Sequence, residues 1–404
     1  MNKAKNKVIL MIALEFPPCQ SAGVQRTLKF AEYLVTLGWQ PIVLTVNASV
    51  YTSVDSQVVT SEAIKVYRCK SLDAAKDLAI KGKYFAWSKV PDRWWSWAIS
   101  AIPLGKKLIN KYNPEVIWST YPVSTAHFIA YNLQQYTHLP WVADYRDPVQ
   151  CRYDINAKHY SYISKWIEKK TVENSTAVVF TTENAAQLYR RLYSEEKITK
   201  FLVIENGFDE GNFKDIEIID NHLKNKYTLL HSGAVYENGR DPFALFKALS
   251  QLKKEHSISE SNFSLVFRGA AGDKYTEQLK DLNIIDLVHF KQSIPYKESL
   301  TEMAAASGLL LIQGKLFNNQ IPGKAYEYIR CNKAILALTS KEGATGHLLQ
   351  PIDGAEVVES VATIKEALKR IFVATDLPIR DSSNFSRQAK TRQLEKLLNA
   401  LTVG

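Results

Sequence analysis

Short apolar runs rich in Val, Ile and Leu alternate with segments of helical spacing along almost the whole chain, and this alternation restricts the fold more than any other feature. Val8 to Leu14 reads as a buried first strand. Val24 to Leu37, with apolar residues at Val24, Leu28, Ala31, Leu34, Val35 and Leu37, has the period of a helix; Gly38 closes it and Pro41 to Val46 forms a second strand. The rhythm continues with strand Glu115 to Ser119, helix Ser124 to Tyr136, strand Trp141 to Asp144, helix Tyr160 to Asn174 and strand Ala177 to Thr181. It breaks at Ile204-Glu-Asn-Gly-Phe-Asp209, where Asn206-Gly207 signals a turn, and in the polar stretch Glu210 to Lys226. A second series then begins: strand 227–232, helix Pro242 to Lys254, strand Ser264 to Phe267, helix Lys274 to Leu282, strand Val288 to Phe290, helix Tyr296 to Ala305, strand Gly308 to Ile312, helix Lys324 to Cys331 and strand Ala334 to Leu338. Strands alternating with helices imply parallel, doubly wound sheets, here two of them. The expected division is 1–205, 206–383 and a terminal helix within 384–404, with Leu394, Leu397 and Leu398 on one face and its docking undetermined.

A length of 404 residues suits two such domains. With 46% hydrophobic and 23% charged residues, the composition excludes wholesale disorder and fibrous arrays. The net charge of +10 favours anionic partners, whether nucleic acid, phosphorylated small molecules or an acidic membrane face. No block of five like charges and no nucleic-acid-binding signature occurs, so nucleic acid ranks last. Cys19, Cys69, Cys151 and Cys331 lie far apart without a CxxC pair, as expected of reduced structural thiols. The apolar run at the N-terminus spans about seven residues and none elsewhere approaches 18, too short to cross a bilayer. The expectation is a cytoplasmic protein whose membrane contact, if any, is peripheral.

Ligands of open parallel sheets bind beyond the carboxyl ends of the strands, so a cleft between the two halves is the expected site. In Ile321-Pro-Gly-Lys-Ala-Tyr-Glu-Tyr-Ile-Arg330, Pro322 fixes φ and Gly323 permits close backbone approach at the start of a helix. Lys324 adds positive charge there, and Glu327, one turn on, could accept hydrogen bonds from a ribose diol. The plain alternative is a helix start with a weak Lys–Glu pair.

This segment resembles the donor-binding stretch P-x-K-x-x-E-Y of family 4-like (group 1) glycosyltransferases of the GT-B fold, followed here by the apolar Lys333-Ala-Ile-Leu-Ala337. Other signposts occur in the family's order: Phe16-Pro-Pro18, Ser21-Ala-Gly-Val-Gln-Arg26, Leu139-Pro-Trp-Val-Ala-Asp-Tyr-Arg-Asp-Pro148, Val203-Ile-Glu-Asn-Gly-Phe-Asp209, Gly233-Ala-Val-Tyr236 and Gly239-Arg-Asp-Pro242. The resemblance covers about residues 8 to 400. It implies two Rossmann-like domains, the first binding an acceptor and the second a nucleotide-diphosphate sugar. It also implies sugar transfer in bacterial surface glycan synthesis. One departure stands out: the family's two glutamates are separated by seven residues, and the position eight before Glu327, that of the first, is occupied by Asn319. That puts the sugar and any retaining stereochemistry in doubt.

On this reading Lys324 and Arg240, with Arg268 third, stabilise the diphosphate leaving group. Gly23, Gly233, Pro322, Gly323 and Glu327 contact the donor. No Asp-x-Asp triplet occurs, so no metal or other cofactor is expected. Asp144, Arg146 and Asp147 cluster after a strand; Asp147 could orient or deprotonate an acceptor hydroxyl, or the three could form a local ion-pair turn. Arg26 reaches the acceptor side or serves only the fold. Within 83–111, Tyr84, Phe85, Trp87, Trp94, Trp95 and Trp97 precede Lys106, Lys107 and Lys111, which suits a membrane interface and a lipid-linked acceptor, or packing between helices. Two rival functions stay open: a nucleotide-sugar epimerase, which would convert its substrate without acceptor, and a non-catalytic membrane-associated scaffold, which would take up no nucleotide.

Overall fold

The computed structural model describes residues 7–402 except 22, 56, 57, 59, 79–88, 150–161, 219–225, 236–240 and 374–377. These form two compact units, Met1–Glu205 with Arg387–Gly404, and Asn206–Ser386.

In the first unit the elements follow as β1 (Lys7–Ile12), α1 (Val24–Thr36), β2 (Trp39–Val46), β3 (Lys65–Cys69), α2 (Trp97–Tyr112), β4 (Val116–Thr120), α3 (Ser124–Thr137), β5 (Trp141–Tyr145), α4 (Tyr162–Asn174), β6 (Ala177–Phe180), α5 (Glu183–Leu192) and β7 (Phe201–Val203). Every strand pairing is parallel, in the order β3-β2-β1-β4-β5-β6-β7. The order reverses between β1 and β4, so a crevice opens at their carboxyl ends. Both faces are covered, which is why β4 is buried at all its positions. Leu10 and Ile117 pack with Leu133 of α3 on one face, while Met11 and Trp118 pack with Leu28 of α1 on the other.

The second unit contains β8 (Tyr227–Ser232), α6 (Phe243–Lys254), β9 (Phe263–Arg268), α7 (Thr276–Asp281), β10 (Val288–Lys291), α8 (Tyr296–Ala305), β11 (Gly308–Ile312), α9 (Gly323–Arg330), β12 (Ala334–Leu338), α10 (Ala344–Leu349), β13 (Ala355–Val358) and α11 (Val361–Val373). Its parallel order is β10-β9-β8-β11-β12-β13, with the reversal between β8 and β11.

The last helix, α12 (Arg387–Thr402), belongs to the first unit and lies beside α1. Leu394 and Leu398, four residues apart on one face, are buried there, worth roughly 1.5–3 kcal/mol each. Lys390 Nζ pairs with Glu205 at 2.7 Å and Lys7 Nζ donates to Asn399 Oδ1 at 2.8 Å. Among the described residues no helix is long and apolar enough to cross a membrane.

Candidate functional site

The carboxyl edge of the second sheet gathers most of the residues singled out on the donor side. β8 runs into Gly233, whose φ of +113° only glycine adopts without strain. A Cβ there would lie 2.8 Å from Lys324 Nζ, so the glycine also makes room for that ammonium. Lys324 Nζ donates to the carbonyl of Ser232, which anchors the charge at the strand end. Pro322 precedes α9 in extended conformation (φ −68°, ψ 139°), and Gly323 is exposed with open space around it. One turn into α9, Glu327 accepts a 2.6 Å hydrogen bond from the hydroxyl of Tyr296, the first residue of α8. Ser299 of α8 reaches the same edge, its Oγ 2.8 Å from Ser232 Oγ.

Arg268 ends β9 beside them, and its carbonyl accepts the Gly233 N–H at 2.7 Å. Its guanidinium, however, is taken by both carboxylate oxygens of Glu302 at 2.6 and 2.8 Å and by the Gln292 carbonyl at 2.9 Å. These bonds raise its pKa further and tie it to α8. Arg240 lies outside the described residues. At the same edge a cavity of about 250 Å³ is lined by Gln313, Gly314 and Lys315 after β11 and by Thr339 and Ser340 after β12. Asn319 is half-buried in the loop that leads into α9.

In the first unit the singled-out residues converge on the ends of β1, β4 and β5. Asp144 is fully buried and receives a two-pronged bond from Arg26, Nη2 to Oδ1 at 2.7 Å and Nε to Oδ2 at 3.0 Å, plus the Thr120 hydroxyl at 2.8 Å. Arg26 also donates to the carbonyls of Ile204 and Glu205 at 2.8 and 3.0 Å. It is only 3% exposed, so it fastens α1 and β5 to the end of the unit's chain instead of presenting a charge to solvent. Removing one partner of such a pair costs about 3–5 kcal/mol.

Arg146 turns the other way, bonding Glu15 at 2.9 Å, Thr120 at 3.3 Å and Thr27 at 3.3 Å. Burial lowers its pKa, opposed by Glu15 and Asp144. Gly23 sits against this pair: a Cβ would run into the Glu15 carboxylate and the Arg146 guanidinium. Its small size therefore serves a contact inside the unit. Asp147 follows, half-buried, in a segment tied down by Thr181 Oγ1 to the Arg146 carbonyl at 2.6 Å and by the Val149 N–H to the Tyr189 hydroxyl at 3.1 Å. Glu15 and Thr120 belong to this cluster and were absent from the sequence-based set. Their position immediately after or at the end of strands flanking the order reversal is the signal that points to them.

Behind the cluster, His127 Nδ1 lies 2.7 Å from Ser119 Oγ, and burial pushes its pKa down to about 3, keeping the ring neutral. Among the described residues no group of three His, Cys, Asp or Glu side chains is arranged to hold a metal ion.

Residues 22–207, a little under half the chain, match the family described as "Glycosyl transferase 4-like domain". No curated protein matches the sequence. Three solved structures resemble the fold over nearly the full length of both chains. Sucrose-phosphate synthase from Thermosynechococcus elongatus is 15% identical, with 98% of this chain and 99% of that one covered and a TM-score of 0.67. The Anabaena protein Alr3699/HepE, solved in complex with UDP, is 13% identical, with 98% and 100% covered and a TM-score of 0.60. A lipopolysaccharide outer core galactosyltransferase in apo form is 11% identical, with 97% and 99% covered and a TM-score of 0.64. At such identities the likeness concerns the fold alone: the chain has the two-domain GT-B fold, and within it residues 22–207 match the glycosyl transferase 4-like family.

Proposed function

We propose that the second unit binds a nucleotide-diphosphate sugar and that the first binds the acceptor hydroxyl to which the sugar is transferred, without a metal ion. The observation that carries this reading is the Lys324 ammonium, anchored at the β8 end beside Gly233 and the open start of α9. A diphosphate placed there would meet a full positive charge together with the positive end of a helix dipole, both preorganised before the leaving group develops its charge. Glu327, oriented by Tyr296, would accept hydrogen bonds from the ribose hydroxyls. Arg240 would be the second cation for the diphosphate on its sequence position alone, while the charge of Arg268 is balanced by its salt bridge with Glu302. On the acceptor side Asp147 would take or orient the hydroxyl proton, with Arg146 and Asp144 holding its segment. The UDP found in the Anabaena neighbour supports a nucleotide ligand, and the missing Asp-x-Asp triplet supports metal independence.

A lipid-linked or polysaccharide acceptor in bacterial surface glycan assembly fits the outer face of α2, α3 and α4. Trp95 and Ile99 are exposed at the start of α2, while Trp97 is buried; Tyr84, Phe85 and Trp87 lie outside the described residues. On α4, Tyr162, Ile163 and Trp166 are exposed, with Trp166 against Phe128 and Tyr131 of α3. Lys106 lies over the exposed Tyr136 ring and Lys165 over the Tyr162 ring, and this mixture of aromatic rings and ammonium groups suits an anionic bilayer surface.

Calorimetry with UDP, GDP and ADP, paired with transfer from the corresponding sugar nucleotides, tests the site. Lys324→Ala is expected to weaken nucleoside diphosphate binding about tenfold or more, in line with roughly 1.5–3 kcal/mol for a hydrogen bond to a charged group. Near-normal binding and turnover in that variant would refute the assignment.

A further inference from the structure

β8 and β11, the strands at which the second sheet reverses its order, pair only at Leu229 with Gly308 and Leu230 with Leu309. Continuing that parallel register would set His231 opposite Leu310, and the next ladder bond would run from the Ser232 N–H to the Leu310 carbonyl. The hydroxyl of Tyr328 stands inside that bond. It accepts the Ser232 N–H at 3.1 Å and donates to the Leu310 carbonyl at 3.3 Å. His231 Nδ1 lies 3.0 Å from the same carbonyl. Tyr328 is fully buried, and burial raises its pKa, so the phenol keeps the proton it donates. The Ser232 carbonyl that receives Lys324, and then Gly233, come immediately after the interrupted bond. The helix that carries Lys324 thus also carries the wedge, four residues further on and on the same side.

We infer that Tyr328 is a positioning residue, whose hydroxyl holds the ends of β8 and β11 apart by the width of one oxygen and thereby sets Ser232, Gly233 and Lys324 for a diphosphate. The inference rests on the reading of Lys324 given above. Without the hydroxyl, the Ser232 N–H and Leu310 carbonyl must either close on each other, pulling the end of β8 sideways, or remain buried without partners. Either outcome disturbs the anchor of Lys324 while leaving the aromatic ring and its packing in place.

The test compares Tyr328→Phe with Tyr227→Phe, which removes from the opposite end of β8 a buried hydroxyl that has no hydrogen-bond partner among the described residues. The readouts are thermal stability, affinity for whichever of UDP, GDP and ADP the wild type binds best, and affinity for the matching nucleoside by competition. Tyr328→Phe is expected to weaken the diphosphate about tenfold, or ~1.4 kcal/mol, and to change nucleoside affinity less than about twofold, whereas Tyr227→Phe leaves both unchanged. In a Lys324→Ala background, Tyr328→Phe should add little, because both changes act through one charge. Undiminished diphosphate affinity in Tyr328→Phe, equal losses for nucleoside and diphosphate, or additivity with Lys324→Ala would overturn the inference. Should Tyr328→Phe not fold, a crystal structure of the wild type decides: a direct Ser232 N to Leu310 O bond overturns the wedge, and an intervening hydroxyl supports it. Full diphosphate affinity in Lys324→Ala would instead remove the site reading itself.

Discussion

Glu168 on α4 makes the stability of the first unit depend on pH in a direction opposite to that of most carboxylates. It is 2% exposed; Oε1 accepts the Tyr189 hydroxyl, and Oε2 has no hydrogen-bond partner among the described residues. Burial pushes its pKa up from 4.5 to about 7, with the Tyr189 hydrogen bond opposing. An acid whose folded pKa is raised favours the native state when protonated. Its contribution is therefore complete below about 4.5, falls as pH rises through about 7, and is constant beyond. At ~1.4 kcal/mol for each pH unit separating the two values, the loss is about 3 kcal/mol. Glu168→Gln keeps the shape and the acceptor for Tyr189 but cannot titrate. Urea unfolding should show the variant's advantage over wild type larger by about 2–3 kcal/mol at pH 8 than at pH 5. His127, held neutral in the native state, titrates with the opposite sign, since its contribution is present above about 6.5 and lost as pH falls. Both proteins carry it, so it cancels from the difference. A difference that does not change with pH, or grows toward acid, would show that Glu168 is already ionised in the native protein at pH 5 and refute the reasoning.

Gly23→Ala should lower stability by roughly 1–3 kcal/mol, because the new methyl displaces the Glu15–Arg146 pair; an unchanged melting temperature would mean that the loop yields freely. Transfer activity should survive chelation by EDTA, and restoration of a lost activity by Mg²⁺ or Mn²⁺ would overturn metal independence. The protein should sediment with vesicles containing phosphatidylglycerol and far less with phosphatidylcholine alone. Trp95→Ser with Trp166→Ser should weaken that binding without changing transfer to a soluble acceptor, and equal sedimentation of variant and wild type would exclude this face.

Much of the fold is legible because buried parallel strands are apolar throughout. Gly308 to Ile312 and Ala334 to Leu338 coincide with β11 and β12, and Tyr296 to Ala305 with α8. β3 escapes such reading because, as an edge strand, Lys-Val-Tyr-Arg-Cys is mostly not buried and mixes charge with apolar residues. α2 carries Pro103 in its interior, and α10 spans only six residues, too few to show a period. In the site, Lys324 and Glu327 are legible from one another because a helix places residues three apart on one side. The partners that decide what the other charges do are distant in sequence. Arg26 meets Asp144 across 118 residues and Arg146 meets Glu15 across 131, so local pattern could not distinguish a ligand-facing guanidinium from one consumed by the fold. The Tyr328 hydroxyl is further out of reach, since its role exists only relative to the register of two strands.

The return of α12 to the first unit gives the protein a defined order of completion. Residues 206–386 form an insertion within the first unit, which cannot bury the groove over α1 until Leu394 and Leu398 have been made. During synthesis the second unit therefore has all its residues while the first, although begun earlier, still lacks its closing helix. A fragment ending at Glu205 would expose that groove, and removing α12 would injure the half of the molecule most distant from it in sequence.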